Sequence, residues 1–424
     1  MIVILIQIVH AVILWLLELF LYPELLIYPY LTFNKLLPYK QILDQHFPGL
    51  MFFPINFYSL GFRDPESFKV LLVITILIQS AMIYKITKSK LSVFLFTLWQ
   101  PLFEGNQLWL DTFLPLFTLP AYLLIQSGNW WLSGLLLGIG IVFKQTLIPL
   151  SVFVGLLLLF KRQIRPFWIF SAFSLAPSML TLIYFHSLGA LGDFWYWTIT
   201  FNLTTFAAYG RNLPTLGELI KVLSITCLAG FLFMTRPKTR QALILALVSS
   251  LETLSRFGLI HLQPAIPFLA IASANLKNQT KAAFVVIVIS IVWFGYFLGK
   301  QKNILGFKYF DPDTKKIIAI IKNFTHPKDK IFLLGVQPHI YQQSRTLPSG
   351  NLFVFQFPWF LQVSGERVLA GLNNDPPKLI LYNPESEIDG QYLKDYGHYL
   401  VEYTQRFYRP LDQVGSTLIY ARRN

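Results

Sequence analysis

The chain has 424 residues, of which 54% are hydrophobic and only 13% are charged, and its formal net charge is +14. This composition supplies too little polar surface to cover a soluble globule of this length, so lipid must cover the remainder. Much of the positive charge lies in short clusters between apolar segments, which indicates membrane topology rather than a nucleic-acid partner. The single cysteine, Cys227, excludes an internal disulfide and a thiolate metal cluster.

About eleven apolar segments in the first part of the chain predict an all-α polytopic membrane domain, residues 1–304. A spanning helix needs about 20 apolar residues, and several segments are shorter, which indicates tilted or broken helices around a cavity. The first segment lacks a basic leader and a small-residue cleavage site, so we expect it to remain as a membrane helix. In chain order the segments are Ile2–Leu21, Phe68–Ile86, Leu91–Phe103, Leu108–Ile125, Trp130–Phe143, Leu147–Phe160, Phe167–Leu188, Leu216–Thr235, Gln241–Gly258, Pro264–Leu276 and Ala282–Leu298.

Basic clusters predict the orientation, because cytoplasmic loops are enriched in lysine and arginine. All clusters fall on one side if the segments alternate, which predicts an inner (plasma) membrane protein with a cytoplasmic N-terminus. The first loop (residues 23–67) and the C-terminal domain are then extracytoplasmic. The basic clusters are Lys85, Lys88 and Lys90; Lys161, Arg162 and Arg165; Arg236, Lys238 and Arg240; Lys277 and Lys281. The acidic residues at or near the opposite segment ends are Glu24, Asp44, Glu104, Asp111, Asp193 and Glu252.

Residues 305–424 predict a small extracytoplasmic α/β domain, because helical and strand periods alternate from Asp311 onward. Asp311-Pro312-Asp313 matches a metal-binding Asp-x-Asp pattern, but an aspartate ahead of a helix is typical of an N-cap. We therefore expect neither a metal site nor a cofactor. The predicted elements are a helix at Pro312–Phe324, strands at Lys330–Leu334 and Lys378–Tyr382, a helix at Ile388–Glu402 and a strand at Gly415–Ala421.

Polar motifs follow one another along the predicted membrane domain. They are Tyr22-Pro23-Glu24; Pro38-Tyr39 with Asp44, His46 and Pro48; Glu104 to Asp111; the glycine-rich Gly134-x3-Gly138-x-Gly140 ending at Lys144; and Arg256 with His261. In this order they resemble the motifs of bacterial relatives of protein O-mannosyltransferases and aminoarabinose transferases, membrane glycosyltransferases of the GT-C fold (glycosyltransferase family 39-like). Gln41 departs from the pattern, since the family has an aspartate there.

The resemblance implies a GT-C fold and transfer of a sugar, with inversion, from a polyprenyl-phosphate donor to an extracytoplasmic glycan, lipid or protein. It implies that Glu24 is the principal catalytic carboxylate. We expect Asp111 to be the second catalytic residue, which orients the acceptor or the donor. The residues expected to bind substrate or donor phosphate are Tyr39, Asp44, His46, Glu104, Lys144, Arg256 and His261.

The transfer reaction itself requires residues of these types, independently of the resemblance. Glycosyl transfer from a lipid phosphate needs a base near the acceptor hydroxyl and cations near the departing phosphate. Burial near lipid would raise the pKa of Glu24 toward the working pH. Asp111 lies inside an apolar segment, where a charge costs about 2.5–3.5 kcal/mol on insertion scales. For Lys144, phosphate contact and simple extension of the side chain to the interface remain open alternatives.

Two other classes of protein remain open. A non-enzymatic transporter or lipid-handling protein would also have apolar segments and intramembrane charges. A membrane scaffold that displays the C-terminal domain needs no intramembrane charges, so Asp111 and Lys144 argue against it.

Overall fold

A computed structural model describes residues 1–235, 237–278, 280–301 and 304–423. Arg236 lies outside the described residues, as do the side chains of Cys227, Lys238 and Lys277. The chain is mostly helical, and its strands are concentrated toward the C-terminus.

Fifteen α-helices lie in the described residues before position 304. They are α1 (Ile2–Leu16), α2 (Glu24–Phe33), α3 (Pro65–Thr87), α4 (Lys90–Leu102), α5 (Leu110–Phe113), α6 (Pro115–Gln126), α7 (Trp130–Phe143), α8 (Ile148–Phe160), α9 (Ile164–Ser187), α10 (Leu191–Trp195), α11 (Ala207–Tyr209), α12 (Leu216–Thr235), α13 (Pro237–Ser249), α14 (Ile266–Ala272) and α15 (Thr280–Gly299). Two π-helical turns, Tyr196–Thr200 and Asn202–Phe206, connect α10 to α11.

Three of the described helices are long and apolar enough to cross a membrane. They are α3, α9 and the Lys281–Gly299 part of α15. Other apolar helices, such as α1 and α7, are shorter than a straight crossing requires. The structure thus supports a helical protein with three candidate spans, and the full number of eleven stays a prediction.

The predicted helix boundaries hold best where a side chain caps the helix. Helix α7 begins and ends at the predicted residues, and the Asn129 side chain accepts a hydrogen bond from the Leu132 amide at its start. The predicted segment Leu108–Ile125 is helical from Leu110 to Gln126, and a single turn residue, Leu114, separates α5 from α6 just before Pro115. The segment Ile2–Leu21 stops as a helix at Leu16.

Glycines allow α7 to pack closely against α9. A Cβ atom at Gly134 would lie 2.3 Å from the Phe170 carbonyl oxygen, and one at Gly138 would lie 2.4 Å from the Ser174 carbonyl oxygen. Small residues four apart let the backbones of two membrane helices approach in this way. The glycine-rich motif therefore allows α7 and α9 to pack closely. This packing fixes the C-terminal end of α7, which Lys144 directly follows.

We expect Gly138→Ala to lower the thermal stability of the full chain, because the new methyl group meets backbone and must push α9 away. Such overpacking costs about 1–3 kcal/mol. The matched control is Gly295→Ala in α15, where an added Cβ would meet no atom within 4 Å. Thermal unfolding of both variants in detergent measures the difference, and equal melting temperatures would contradict close α7–α9 packing.

The C-terminal domain contains a five-stranded sheet whose strands, in spatial order, are β10 (Tyr408–Val414), β11 (Thr417–Arg422), β7 (Leu379–Tyr382), β4 (Lys330–Leu334) and β5 (Leu347–Pro348). Strands β7, β4 and β5 are parallel to one another, with β5 at the edge, whereas β11 and β10 add antiparallel pairs on the other side of β7. The eleven strands of the described chain are β1 (Phe20–Leu21), β2 (Ile42–Leu43), β3 (Gln107–Leu108), β4 (Lys330–Leu334), β5 (Leu347–Pro348), β6 (Phe353–Val354), β7 (Leu379–Tyr382), β8 (Glu387–Ile388), β9 (Gln391–Tyr392), β10 (Tyr408–Val414) and β11 (Thr417–Arg422). The helices of this domain are α16 (Pro312–Phe324), α17 (His339–Ser344), α18 (Pro358–Asn374), α19 (Leu393–Tyr396) and α20 (His398–Phe407).

The sequence predicted several of these elements correctly and one incorrectly. The helix at Pro312–Phe324 is confirmed, and Asp311 is its N-cap, accepting a hydrogen bond from the Thr314 amide at 2.7 Å. The strand at Lys330–Leu334 is also confirmed. The helix predicted at Ile388–Glu402 is wrong in its first part, because β8 and β9 form a hairpin whose turn, Asp389-Gly390, has positive φ at both residues.

The C-terminal domain docks on the first loop through a short parallel strand pair. Ile42 and Leu43 of β2 pair with Phe353 and Val354 of β6. The Tyr30 hydroxyl of α2 adds a hydrogen bond to the C-terminal domain, donated to the carbonyl of residue 346 at 3.0 Å. Loop and domain therefore form one continuous structure beside the helical part.

Candidate active site

A second parallel strand pair brings the two predicted catalytic carboxylates to one region. Leu21 of β1 lies opposite Leu108 of β3. The chain leaves both parallel strands in the same direction, and Glu24 and Asp111 each follow three residues later. Two positions far apart in the sequence thus reach the same end of a small sheet.

The first loop is held in place by hydrogen bonds at Asp44 and at the Gln45 carbonyl. Asp44 accepts hydrogen bonds from the Tyr28 hydroxyl at 2.6 Å and the His46 amide at 2.7 Å, and its Oδ1 lies 2.9 Å from His46 Nδ1. The Gln145 side chain, next to α7, donates to the Gln45 carbonyl at 2.9 Å. These contacts fix the position of the His46 ring relative to the helical part.

A buried charge cluster forms where α7 ends. Lys144 is extended rather than helical, which directs its side chain away from the helix axis, and the residue is 1% exposed. Its ammonium donates to Asp111 Oδ2 at 2.6 Å and to a carboxylate oxygen of Glu252. His261 Nδ1 lies 2.9 Å from the same Asp111 oxygen and 3.3 Å from Glu252 Oε1. The cluster therefore joins four separate segments of the chain.

Three side chains of this cluster are of the types that bind metal ions. One oxygen of Asp111, one of Glu252 and one nitrogen of His261 lie within 4.8 Å of one another, a spacing that suits a cation. The Lys144 ammonium, however, already donates to both carboxylates. A metal ion here would have to displace a buried ammonium, so in this arrangement lysine supplies the positive charge that the carboxylates need.

Glu24 is the first residue of α2 and lies outside the candidate spans. It is 8% exposed, and its Oε2 has no hydrogen-bond partner among the described residues. Burial raises the pKa of the Glu24 carboxyl to about 8, and the negative charge of Asp44 acts in the same direction. A carboxyl of this pKa exchanges its proton near neutral pH, as a general base must.

A cavity of about 680 Å³, called the site cavity below, opens between the helical part and the C-terminal domain. Glu24 lines it together with groups that are cationic or can become so. These are His46, Lys144, Arg211, Arg256 and His261. Glu252, Glu387 and Asp389 also line it, so its walls combine carboxylates with several groups that can face an anion.

Three of the predicted binding residues do not line the site cavity and instead position others. The Tyr39 ring is fully buried and its hydroxyl donates to the His46 carbonyl at 2.7 Å. Asp44 orients His46 as described, and Glu104 accepts a hydrogen bond from the Ile260 amide at 3.2 Å, next to His261. Their predicted contact with substrate stays a prediction.

Arg256 lines the site cavity, but its guanidinium is already paired. It makes two hydrogen bonds to Asp389, at 2.9 and 3.0 Å, and a third to the Gly210 carbonyl at 2.8 Å. Its Cζ also lies 5.2 Å from the centre of the Trp359 ring. The ion pair links the helical part to the β8–β9 hairpin, so a phosphate contact by Arg256 would require this pair to open.

Sequence reasoning did not include Glu252 or Asp389 in the site, whereas it named Arg211 as a possible cation for the donor phosphate. The available signal for Glu252 was its predicted position on the same membrane face as Asp111. Nothing in the sequence pairs Asp389 with Arg256, because the two residues belong to different domains. Arg211 follows α11 and the two π-helical turns before it, whose path no periodicity predicts.

No family model matches this chain, and no match is found among the curated proteins.

Proposed function

We propose that the protein is an integral membrane glycosyltransferase that moves a sugar from a polyprenyl-phosphate donor to an acceptor hydroxyl with inversion. The observation that carries the proposal is that one cavity is lined both by the buried carboxyl of Glu24, whose pKa is raised by burial, and by basic side chains, among them the exposed Arg211. Inverting transfer from a phosphate needs both, a base for the entering hydroxyl and positive charge for the leaving phosphate. The resemblance in the sequence supports the same reaction.

An apolar cavity of about 370 Å³ supports a lipid-linked donor. It lies between α12, α13 and α14, and its walls include Phe103, Leu243, Leu247 and Phe257. Phe257 is adjacent in the chain to Arg256, which lines the site cavity. A polyprenyl chain in this apolar cavity would therefore place its phosphate toward the cationic groups.

The proposed reaction is a single displacement. The acceptor oxygen attacks the anomeric carbon while the bond from that carbon to the phosphate oxygen breaks. The hydroxyl proton passes to the Glu24 carboxylate, and the electron pair leaves on polyprenyl phosphate. One displacement inverts the anomeric configuration, and a low-dielectric site strengthens each charge interaction along the path.

The cluster around Lys144 changes the role proposed for that lysine. Its charge is shared by Asp111 and Glu252, so little of it remains for a phosphate. We assign it to positioning the two carboxylates and, through them, His261. Arg211, which is exposed and lines the site cavity, is better placed for the donor phosphate, with the planar fork that suits its oxygens.

The test uses the purified full chain and polyprenyl phosphates that carry radiolabelled hexoses or pentoses, with a membrane extract as the source of acceptor. We expect label to leave the lipid and to appear on an acceptor with the opposite anomeric configuration. The matched control is heat-denatured protein with the same lipids. A folded protein that binds the lipids but never breaks the sugar–phosphate bond would contradict the proposal and favour the lipid-handling alternative.

A further inference from the structure

A second cavity, of about 550 Å³, lies on the C-terminal side of the site cavity. Helix α18 forms one wall, α19 and α20 contribute aromatic rings, and α11 of the helical part supplies Tyr209. Its aromatic lining residues are Tyr209, Trp359, Tyr396 and Tyr399. Gln362, Glu366 and Gln391 are its polar lining residues that are not aromatic.

This lining suits a neutral saccharide. Aromatic rings offer flat apolar faces to the C–H face of a sugar ring, and planar amide and carboxylate groups pair with its hydroxyls. Among the described residues that line the cavity, none is lysine or arginine, so it lacks the groups that a phosphate or an acidic lipid needs. Glu366 would repel such anions.

Two lining side chains have hydrogen-bond donors without partners, which also favours a ligand rich in oxygen atoms. The indole N–H of Trp359 and the hydroxyl of Tyr399 are buried, and neither has a hydrogen-bond partner among the described residues. A buried donor without a partner costs free energy, which an oxygen-rich ligand can recover after a small adjustment of the wall. Gly365 makes room for Tyr399, because a Cβ there would lie 2.1 Å from its hydroxyl oxygen.

The second cavity and the site cavity share a wall. Trp359 lines both, and the β8–β9 hairpin lies between them, with Asp389 facing the site cavity and Gln391 facing the second. A saccharide in the second cavity would therefore lie next to the site of transfer, across the Arg256–Asp389 ion pair.

We infer that the second cavity binds a neutral saccharide, the part of the acceptor that does not react. The inference rests on the proposed glycosyl transfer and names its acceptor class as a glycan rather than a simple lipid or a peptide.

The test measures binding of neutral trisaccharides of mannose, glucose and N-acetylglucosamine to the full chain in detergent by calorimetry, at up to about 10 mM. We expect at least one to bind, with no competition from inorganic phosphate. Tyr209→Ala and Glu366→Gln should each weaken binding about tenfold. The matched controls are Leu213→Ala, which truncates a largely exposed side chain in the segment that follows α11, and Glu402→Gln on the exposed face of α20; both should bind as the wild type does.

Absence of binding to all three trisaccharides, or binding that both cavity variants leave unchanged, would overturn the inference. The donor assay separates this failure from failure of the proposed function. Sugar release from the donor without trisaccharide binding would retain the transferase and discard the saccharide cavity. Trisaccharide binding without sugar release would retain the cavity and discard the transferase.

Discussion

Glu24→Gln should lower the turnover of sugar transfer by about 10²–10⁴ while the protein still binds its donor. The amide keeps the size of the side chain but cannot accept the proton of the acceptor hydroxyl. Glu24→Asp should retain partial activity, because the carboxylate remains with a shorter reach. Initial rates of label transfer, with donor binding measured separately, give the comparison.

The pH dependence provides a second readout of the same group. The pKa of Glu24 is raised to about 8, so the carboxyl is protonated and inactive as a base at lower pH. The rate should therefore rise with pH through about 8, where half of the Glu24 carboxyls are deprotonated, and level off above that pH. Glu66→Gln on α3, an exposed glutamate, is the matched control and should leave both rate and pH profile unchanged. Near-normal transfer by a folded Glu24→Gln protein, with Asp111→Asn inactive, would move the base to Asp111.

Lys144→Met should destabilise the whole protein strongly. The substitution removes the ammonium that donates to Asp111 and Glu252, and leaves two carboxylates close together in a buried cluster. Breaking a buried ion pair by removing one partner costs about 3–5 kcal/mol. Thermal unfolding of the full chain in detergent should show a melting temperature many degrees below that of the wild type.

A compensating variant distinguishes this loss from simple loss of packing. Lys144→Met combined with Asp111→Asn and Glu252→Gln removes the uncompensated charges and should recover part of the lost stability. Lys161→Met, an exposed lysine at the end of α8, is the matched control and should unfold near the wild-type temperature. Unchanged stability of Lys144→Met would mean that the lysine is not required to balance the carboxylates.

Sequence reasoning succeeded where the determinant is local. Asn129 and Asp311 cap their helices with side-chain hydrogen bonds a few residues away, so the starts of α7 and α16 are visible in the sequence. It failed at Ile388–Glu402, where the Asp389-Gly390 turn signal was outweighed by the helical period of the residues that follow.

Some residues of the candidate site could likewise be predicted from the sequence, whereas their contacts could not. The carboxylate of Glu24 and the charges of Asp111 and Lys144 stood out because polar residues near apolar segments are costly. That Lys144 joins Asp111 to Glu252, or that Arg256 is held by Asp389, depends on contacts between distant segments that no period or spacing encodes. Composition and local pattern therefore identify candidate groups, and tertiary packing decides which of them remain free to act.

The pairing of β2 with β6 sets an order of assembly during synthesis. The first loop emerges early, yet the strand that completes it is made roughly 300 residues later. Until then the backbone groups of Ile42 and Leu43 lack their partners, and the wall of the site cavity that the C-terminal domain provides is missing. An incomplete chain thus carries Glu24 without the enclosure that surrounds it in the folded protein, and the cavity closes only after residues 353–389 have been made.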